Sequence, residues 1–173
     1  DIDVRSLLHG YPLVAQTIGG KYQLDQTVIE GLDRIEEENG DITYRVMIKK
    51  GLVYSDGSPI GAKDYLFSFL LLSSPQVRAL TGLMPPYAHI VGFDAYHIGS
   101  TCVFSGLRLI DEYTFTLRIK KEFLPYFYEE AYININPYPI SAIVPGARVI
   151  DMGNGASISG EMTVDILCST LLD

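Results

Sequence analysis

The dipeptide Asn39-Gly40 is the feature that most constrains the fold of this chain, because it separates two segments that read as β-strands, 28–36 and 42–49. Both of its residues tolerate the positive φ that a tight hairpin turn requires. The second segment alternates between apolar and mostly polar side chains, with Ile42, Tyr44, Val46 and Ile48 on one face. The pattern predicts a β-hairpin with one buried face.

The other elements have weaker signals. A second strand pair is predicted over 107–110 and 113–120, with Asp111-Glu112 at its turn. Apolar spacing predicts a largely buried helix over 62–73. Shorter helices are predicted over 124–131 and 162–172, and a short one within 87–99. Prolines and glycines predict a broken region over 74–86 and a loop over 151–160. The predicted fold class is α+β, a small and mainly antiparallel sheet with packed helices.

The composition of the chain excludes several classes of function. The chain has 173 residues, of which 47% are hydrophobic, enough to build a core without disulfides or metal. Its net charge of −8 argues against nucleic acid, since no cluster of Lys and Arg is available for phosphates. No apolar run approaches the ~20 residues of a membrane-spanning helix. The chain opens at Asp1 without an initiator Met, so we expect a mature or excised fragment whose ends do not reveal its location.

No recognised catalytic motif is present in the sequence. It contains no nucleophile elbow, zinc-protease helix motif or phosphate-binding loop. His89 and His97 stand eight residues apart, so a surface or packing role is favoured over metal binding for both. For Cys102 and Cys168 two interpretations stay open, one disulfide or two buried thiols. We therefore predict no enzyme activity, no metal site and no cofactor.

One long segment resembles a known signature. Residues 43–69 read TYRVMIKKGLVYSDGSPIGAKDYLFSF and resemble the signature of family 5 extracellular solute-binding proteins, the peptide and nickel receptors of ABC importers. Gly61 departs from the pattern, because the family often has Thr there as the helix cap; Gly is a weaker but acceptable cap. The residues that match are Lys50, Gly51, Tyr54, Ser55, Asp56, Gly57, Pro59, Ala62, Asp64 and Phe67.

Three further segments resemble the same family in the same order. They are YAHIVGFDAYHIG at 87–99, LRLIDEYTFTLRI at 107–119 and FLPYFYEEAYININPYPISAI at 123–143. Each block alone is weak, but four blocks in order are specific. Together they lie within residues 27–145.

The resemblance implies one domain of a periplasmic-binding-protein type II receptor, the additional α+β domain beside the first lobe. It implies a segment 1–26 leading from that lobe, an α+β domain over 27–150, and a loop with a C-terminal helix over 151–173. Complete receptors of this family are several hundred residues long. We therefore expect most of the ligand cleft to lie in lobes outside this chain.

The implied function is the capture of peptides outside the cell membrane and their delivery to an ABC permease, with no enzyme activity and no cofactor. The implied location is the periplasm or the outer face of the cytoplasmic membrane, with a possible lipid anchor outside this chain. Two alternatives stay open, a non-transport binding or adhesion module and a receptor for another solute such as nickel. The residues that we predict at the edge of the cleft are Arg5, His9, Tyr11 and Tyr87.

Overall fold

An antiparallel sheet of four strands is the centre of the fold. The computed structural model describes residues 10–163 and 166–167. A short hairpin comes first, β1 (Val14–Gln16) paired with β2 (Tyr22–Leu24). The central strands follow in the spatial order β3-β4-β6-β5. Their bounds are β3 Ile29–Glu36, β4 Ile42–Ile48, β5 Leu107–Asp111 and β6 Thr114–Ile119.

Both predicted strand pairs are confirmed. Strands β3 and β4 meet at the Asn39-Gly40 turn, where Gly40 has a φ of +94°. Strand β4 also pairs with β6, so that Val46 lies opposite Phe115. The alternation of the sequence is the alternation of burial along β4 and β6. One face of the sheet is therefore apolar and needs a cover.

The cover is the predicted helix over 62–73, here α1 (Ala62–Ser73), which is buried along nearly its whole length. Tyr65 of α1 stacks on Phe115 of the sheet, with ring centroids 6.1 Å apart. The short helix expected within 87–99 is α3 (Phe93–His97). A last helical turn, α4, spans Ile140–Ile143.

The broken region predicted over 74–86 is wrong in its first half, where α2 spans Pro75–Thr81. Ser74 caps this helix, because its hydroxyl accepts a hydrogen bond from the Val77 N–H at 3.2 Å. Proline stands at the first helical position, where no N–H donor is needed. Gly82 then ends the helix in the left-handed conformation, with a φ of +65°.

The α-helix predicted over 124–131 is also wrong. Two 3₁₀ helices, Lys121–Phe123 and Glu129–Ile133, stand on either side of a turn there. The side chain of Glu129 bonds to Arg34 and Tyr44 of the sheet. These tertiary contacts place the segment across the sheet edge instead of along one helix axis.

The loop predicted over 151–160 is in fact part of a β-hairpin. Strand β7 (Arg148–Asp151) pairs with β8 (Ala156–Ser159), and Phe104 bridges to Ala156. Gly153 and Gly155, two of the glycines that indicated a loop, lie in its turn, and Gly160 follows β8. Of the helix predicted over 162–172, most lies outside the described residues. None of the helices in the described ranges is long and apolar enough to cross a membrane.

Candidate functional site

A cavity of about 360 Å³ opens beside Tyr11, one of the residues predicted at the cleft. Three segments form it: the chain before β1, the turn over 53–60 and the extended stretch over 134–139. Its volume is at the small end of the range for ligand sites. The residues that line it are Gly10, Tyr11, Val53, Tyr54, Ser55, Ile60 and Pro137.

The turn over 53–60 forms one wall of this cavity and is held by its own hydrogen bonds. The Asp56 carboxylate accepts hydrogen bonds from the backbone N–H and the hydroxyl of Ser58, at 2.9 and 2.6 Å. Gly57 takes a φ of +84° and donates its N–H to the Tyr54 carbonyl. The Ser-Asp-Gly-Ser-Pro sequence thus forms a self-contained turn, which fixes Tyr54 and Ser55 on the cavity side.

Tyr54 is the unusual residue of this wall. Its side chain is 8% exposed, and its hydroxyl makes no hydrogen bond of normal geometry although it lies near the Asp64 carboxylate. Burial raises the pKa of Tyr54 well above its usual range, so the phenol stays protonated. A buried hydroxyl without a partner is uncommon and costly. The hydroxyl is therefore enclosed near Asp64, while the Tyr54 residue lines the cavity.

Asp64 is the charged group behind this wall. It is 4% exposed, and its carboxylate accepts the Gly61 N–H at 2.8 Å. Burial raises the pKa of Asp64, against the hydrogen bond from Gly61. The carboxylate therefore caps α1 and also makes the surroundings of the Tyr54 hydroxyl electronegative.

The stretch over 134–139 connects this cavity to the rest of the domain. The Val14 N–H donates to the Asn134 side-chain oxygen at 3.1 Å, and the Tyr138 N–H donates to the Ser68 hydroxyl at 2.9 Å. Between these two contacts, the Oδ1 atom of Asn136 is buried without a partner. Asn136 precedes Pro137, which lines the cavity, but Asn136 itself is not among the lining residues.

The predicted site residues fall in different places. Tyr11 is half-buried, and its carbonyl accepts a hydrogen bond from the Tyr65 hydroxyl at 2.9 Å. Tyr87 packs edge-on against Phe69 at 5.2 Å, and burial raises its pKa to about 12. Tyr87 is not among the residues that line the cavity beside Tyr11. Arg5 and His9 lie outside the described residues.

The sequence did not indicate two buried polar groups without partners, the Tyr54 hydroxyl in the cavity wall and the Asn136 oxygen just before Pro137 of that wall. Tyr54 stood in the matched signature, but nothing in the sequence indicates that its hydroxyl lacks a partner. Asn136 stood in a segment predicted only as extended, and its burial depends on the contacts of its neighbours with β1 and α1. The one sequence signal that could have indicated Tyr54 as a site residue is its place in the matched signature, as an aromatic residue directly before a polar turn.

The histidines of the described region serve packing, as predicted. His89 is buried against the Tyr132 ring, and its Nε2 lies 2.9 Å from the Tyr132 carbonyl; burial lowers its pKa. His97 Nδ1 lies 2.8 Å from the Ser73 carbonyl. Within residues 10–163 and 166–167, no three His, Cys, Asp or Glu side chains converge as a metal site. Cys102 is a free, exposed thiol, so the prediction of a buried thiol is wrong for it, and Cys168 lies outside the described residues.

Comparison with known proteins confirms the resemblance stated above, although no family model matches the chain. Over 109 residues, 61% of this chain, it is 28% identical to the periplasmic oligopeptide-binding protein OppA of Salmonella typhimurium. Over 69 residues it is 36% identical to the oligopeptide-binding protein OppA of Lactococcus lactis subsp. lactis, strain IL1403, which is 40% of this chain. These matches cover 20% and 11% of the two relatives.

Solved structures confirm the α+β fold. Listeria monocytogenes OppA bound to peptide matches 81% of the chain with a TM-score of 0.60 at 16% identity. Haemophilus influenzae OppA in complex with the peptide RPPGFSPFR matches 81% with a TM-score of 0.57 at 20% identity. In both cases the match covers 26% of the solved chain. The sequence thus spans about a fifth of its first curated relatives and a quarter of these structures.

Proposed function

We propose that this chain is one domain of an ABC-importer receptor that captures peptides outside the cell membrane and passes them to a permease. The observation that carries the proposal is the sequence match to oligopeptide-binding proteins over 61% of the chain. A cavity lined by Tyr54 and Pro137 lies in the same domain, in which the Tyr54 hydroxyl and the Asn136 side-chain oxygen are buried without a hydrogen-bond partner. The proposed protein is not an enzyme and needs no cofactor.

The proposed mechanism follows from the chemistry of these two groups. The Tyr54 hydroxyl donates to a ligand carbonyl, and the Asn136 oxygen accepts from a ligand N–H. Such contacts address the main chain of a peptide and leave its side chains free to vary. Tyr11, with Arg5 and His9 just before it, supplies the adjacent edge of the cleft, and Tyr87 supplies a second aromatic edge. Closure of another lobe then completes the enclosure.

The proposed location is the periplasm or the outer face of the cytoplasmic membrane, with any lipid anchor outside this chain. A non-transport binding module on the same fold is the second candidate, since the fold alone does not define transport. A nickel receptor is the third. The described residues show no converging metal ligands that favour it.

Calorimetric titration of a peptide mixture tests the proposal. We expect heat from the complete receptor chain and none from the isolated 173-residue chain at the same concentrations. One domain alone does not enclose the ligand, so the polar groups of the ligand stay in water. In the complete receptor, Tyr54→Phe should weaken binding about fivefold, the value of one hydrogen bond. It should leave the midpoint of unfolding unchanged or raise it slightly, since it removes a buried hydroxyl that has no hydrogen-bond partner of normal geometry.

Tyr113→Phe is the matched control, because Tyr113 does not line this cavity. It should leave peptide affinity unchanged. Absence of heat from the complete receptor would contradict peptide binding and would favour a receptor for a non-peptide solute or an adhesion-type module. Tight peptide binding by the isolated chain would contradict the proposed division of the cleft.

A further inference from the structure

Three aromatic rings stand in solvent on the side of the domain formed by β2 and the segment after β6. Phe127 is 90% exposed, which is unusual for so large an apolar ring, and Tyr22 and Tyr128 are 37% and 41% exposed. The Phe127 and Tyr128 ring centroids are 4.8 Å apart with an angle of 89° between the planes, and those of Tyr22 and Tyr128 are 5.3 Å apart at 72°. We call these three rings the aromatic cage, because nearly perpendicular rings form adjacent walls of a box.

The segment that carries the aromatic cage is held by a charged network whose members satisfy each other. Arg34 donates to both carboxylate oxygens of Glu129, at 2.8 and 3.4 Å, and the Tyr44 hydroxyl also donates to this carboxylate. Arg34 donates to Glu36 as well, at 3.2 Å. Burial alone would raise the pKa of Glu129, but the bonds from Arg34 and Tyr44 hold it below its usual value. The guanidinium of this network is therefore paired and does not seek an anion.

A cavity of about 410 Å³ is lined by the aromatic cage and by this network. One carboxylate of its wall has no partner: Glu130 is half-buried and makes no ion pair or side-chain hydrogen bond with any described residue. The other charged side chain of the wall is Lys21, which is exposed, so its ammonium stays hydrated. An unpaired anion beside the electron-rich faces of aromatic rings makes a site that attracts a cation.

We propose that this cavity binds a quaternary ammonium ion, a cation whose nitrogen carries only carbon groups. The methyl groups of such an ion pack on the faces of the cage rings, and the Glu130 carboxylate neutralises its charge. A primary ammonium or a small inorganic cation fits less well, since it is strongly hydrated and the rings do not replace its water. An uncharged apolar ligand would cover the Glu130 carboxylate without giving it a partner. The volume is within the range of small-molecule sites.

This site is separate from the cavity beside Tyr11 and does not rest on the proposed function. Its walls come from residues 21–22, 34, 44 and 127–130, all within the described chain, so no second lobe is needed. A quaternary ammonium ion has no N–H group, whereas the terminal ammonium of a peptide has three and holds water firmly. Binding of this ion by the isolated chain is therefore compatible with the absence of peptide binding expected above, and the two proposals can fail independently.

The test is a ¹H–¹⁵N NMR titration of the 173-residue chain with choline chloride, which replaces sodium chloride so that the ionic strength stays constant. We expect saturable shifts at Tyr22, Phe127 and Tyr128. Two analogues separate the contributions of charge and shape. The alcohol 3,3-dimethylbutan-1-ol has the shape of choline without its charge, and protonated ethanolamine has the charge without the methyl groups. Each analogue should bind at least about tenfold more weakly than choline.

Two substitutions of charged wall residues should change the affinity for choline in opposite directions. Glu130→Gln should weaken binding about fivefold, as expected for a lost ion pair, and Lys21→Met should strengthen it about threefold, because it removes a like charge. Phe127→Leu keeps an apolar side chain but removes the aromatic face, so it should weaken binding about fivefold while the spectrum keeps its dispersion. Glu122→Gln is the matched control and should leave binding unchanged, because Glu122 is an exposed carboxylate that does not line the cavity.

The proposal is overturned if choline causes no saturable shifts at the residues of the aromatic cage, or if either analogue binds as well as choline. It is also overturned if Glu130→Gln and Lys21→Met change the affinity in the same direction. Shifts that depend on protein concentration without choline overturn it too, because the aromatic cage would then be an interface between two copies.

Discussion

At Gly61, a segment that is distant in the sequence determines which residue type fits. Its φ of −137° is open to any residue, so backbone conformation does not require glycine. A Cβ atom placed on it would lie 2.7 Å from the backbone carbonyl oxygen of Glu112, which accepts the Ala62 N–H at 2.9 Å. The departure from the Thr that the resembled family often has here therefore has a steric reason.

Gly61→Thr should destabilise the protein by about 1–3 kcal/mol, because the new side chain would clash with the Glu112 carbonyl oxygen, which is held by a hydrogen bond from Ala62. The local expectation is the opposite, since Thr is the more favourable helix cap. Urea denaturation measures the difference. Gly19→Ala is the control, because no atom lies within 4 Å of the added methyl group. An increase in stability for Gly61→Thr would show that the backbone at Glu112 can shift to make room for the side chain without loss of stability.

At the scale of elements, helix α1 carries two fully buried serines with different roles. The Ser68 hydroxyl donates to the Asp64 carbonyl at 3.1 Å and accepts the Tyr138 N–H at 2.9 Å. The Ser73 hydroxyl is equally buried but has no hydrogen-bond partner. Ser68 thus joins α1 to the stretch 134–139 that borders the cavity beside Tyr11.

Ser68→Ala should therefore cost about 1–3 kcal/mol, since it leaves the Tyr138 N–H buried without an acceptor. Ser73→Ala should be neutral or slightly stabilising, because it removes a buried hydroxyl that bonds to nothing. Thermal unfolding of both variants, which differ only in position along one helix, measures the contrast. Equal losses of stability would mean that the contact with Tyr138 contributes nothing.

At the scale of the whole molecule, one hydrophobic core joins segments from both ends of the described chain. Leu13, Phe104 and Ala156 are all fully buried in the same cluster. The hairpin of β7 and β8 is tied to the sheet by Asp151, whose carboxylate accepts bonds from the Arg108 side chain at 2.8 Å and the Leu109 N–H at 3.0 Å. The division of the chain at residues 26 and 150 stays a prediction.

A shared core predicts one cooperative transition for the 173-residue chain. Urea unfolding followed by far-ultraviolet circular dichroism and by tyrosine fluorescence should give the same midpoint. The 12 tyrosines report on many parts of the fold, and no tryptophan dominates the signal. Two separated midpoints would show that one segment unfolds as an independent unit.

Much of this architecture could be predicted from the sequence, because its signals are local. The Asn39-Gly40 turn, the alternation along β4 and β6 and the buried helix α1 each follow from the preferences of adjacent residues. Tyr11 was nominated from its place before the matched signature; it lines a cavity, but its role in binding a ligand stays a prediction. These features depend on the types of neighbouring residues and their spacing along the chain, which can be read directly from the sequence.

Contacts between distant segments were decided only by the tertiary structure. Arg34 and Tyr44 place Glu129 where an α-helix was predicted, and Phe104 gives Ala156 a strand partner where a loop was predicted. Glu112 excludes a side chain at Gly61, and burial leaves the Tyr54 hydroxyl unpaired. The physical reason is common to all four cases: hydrogen bonding and exclusion act through space, so the energy of a residue depends on neighbours tens of positions away.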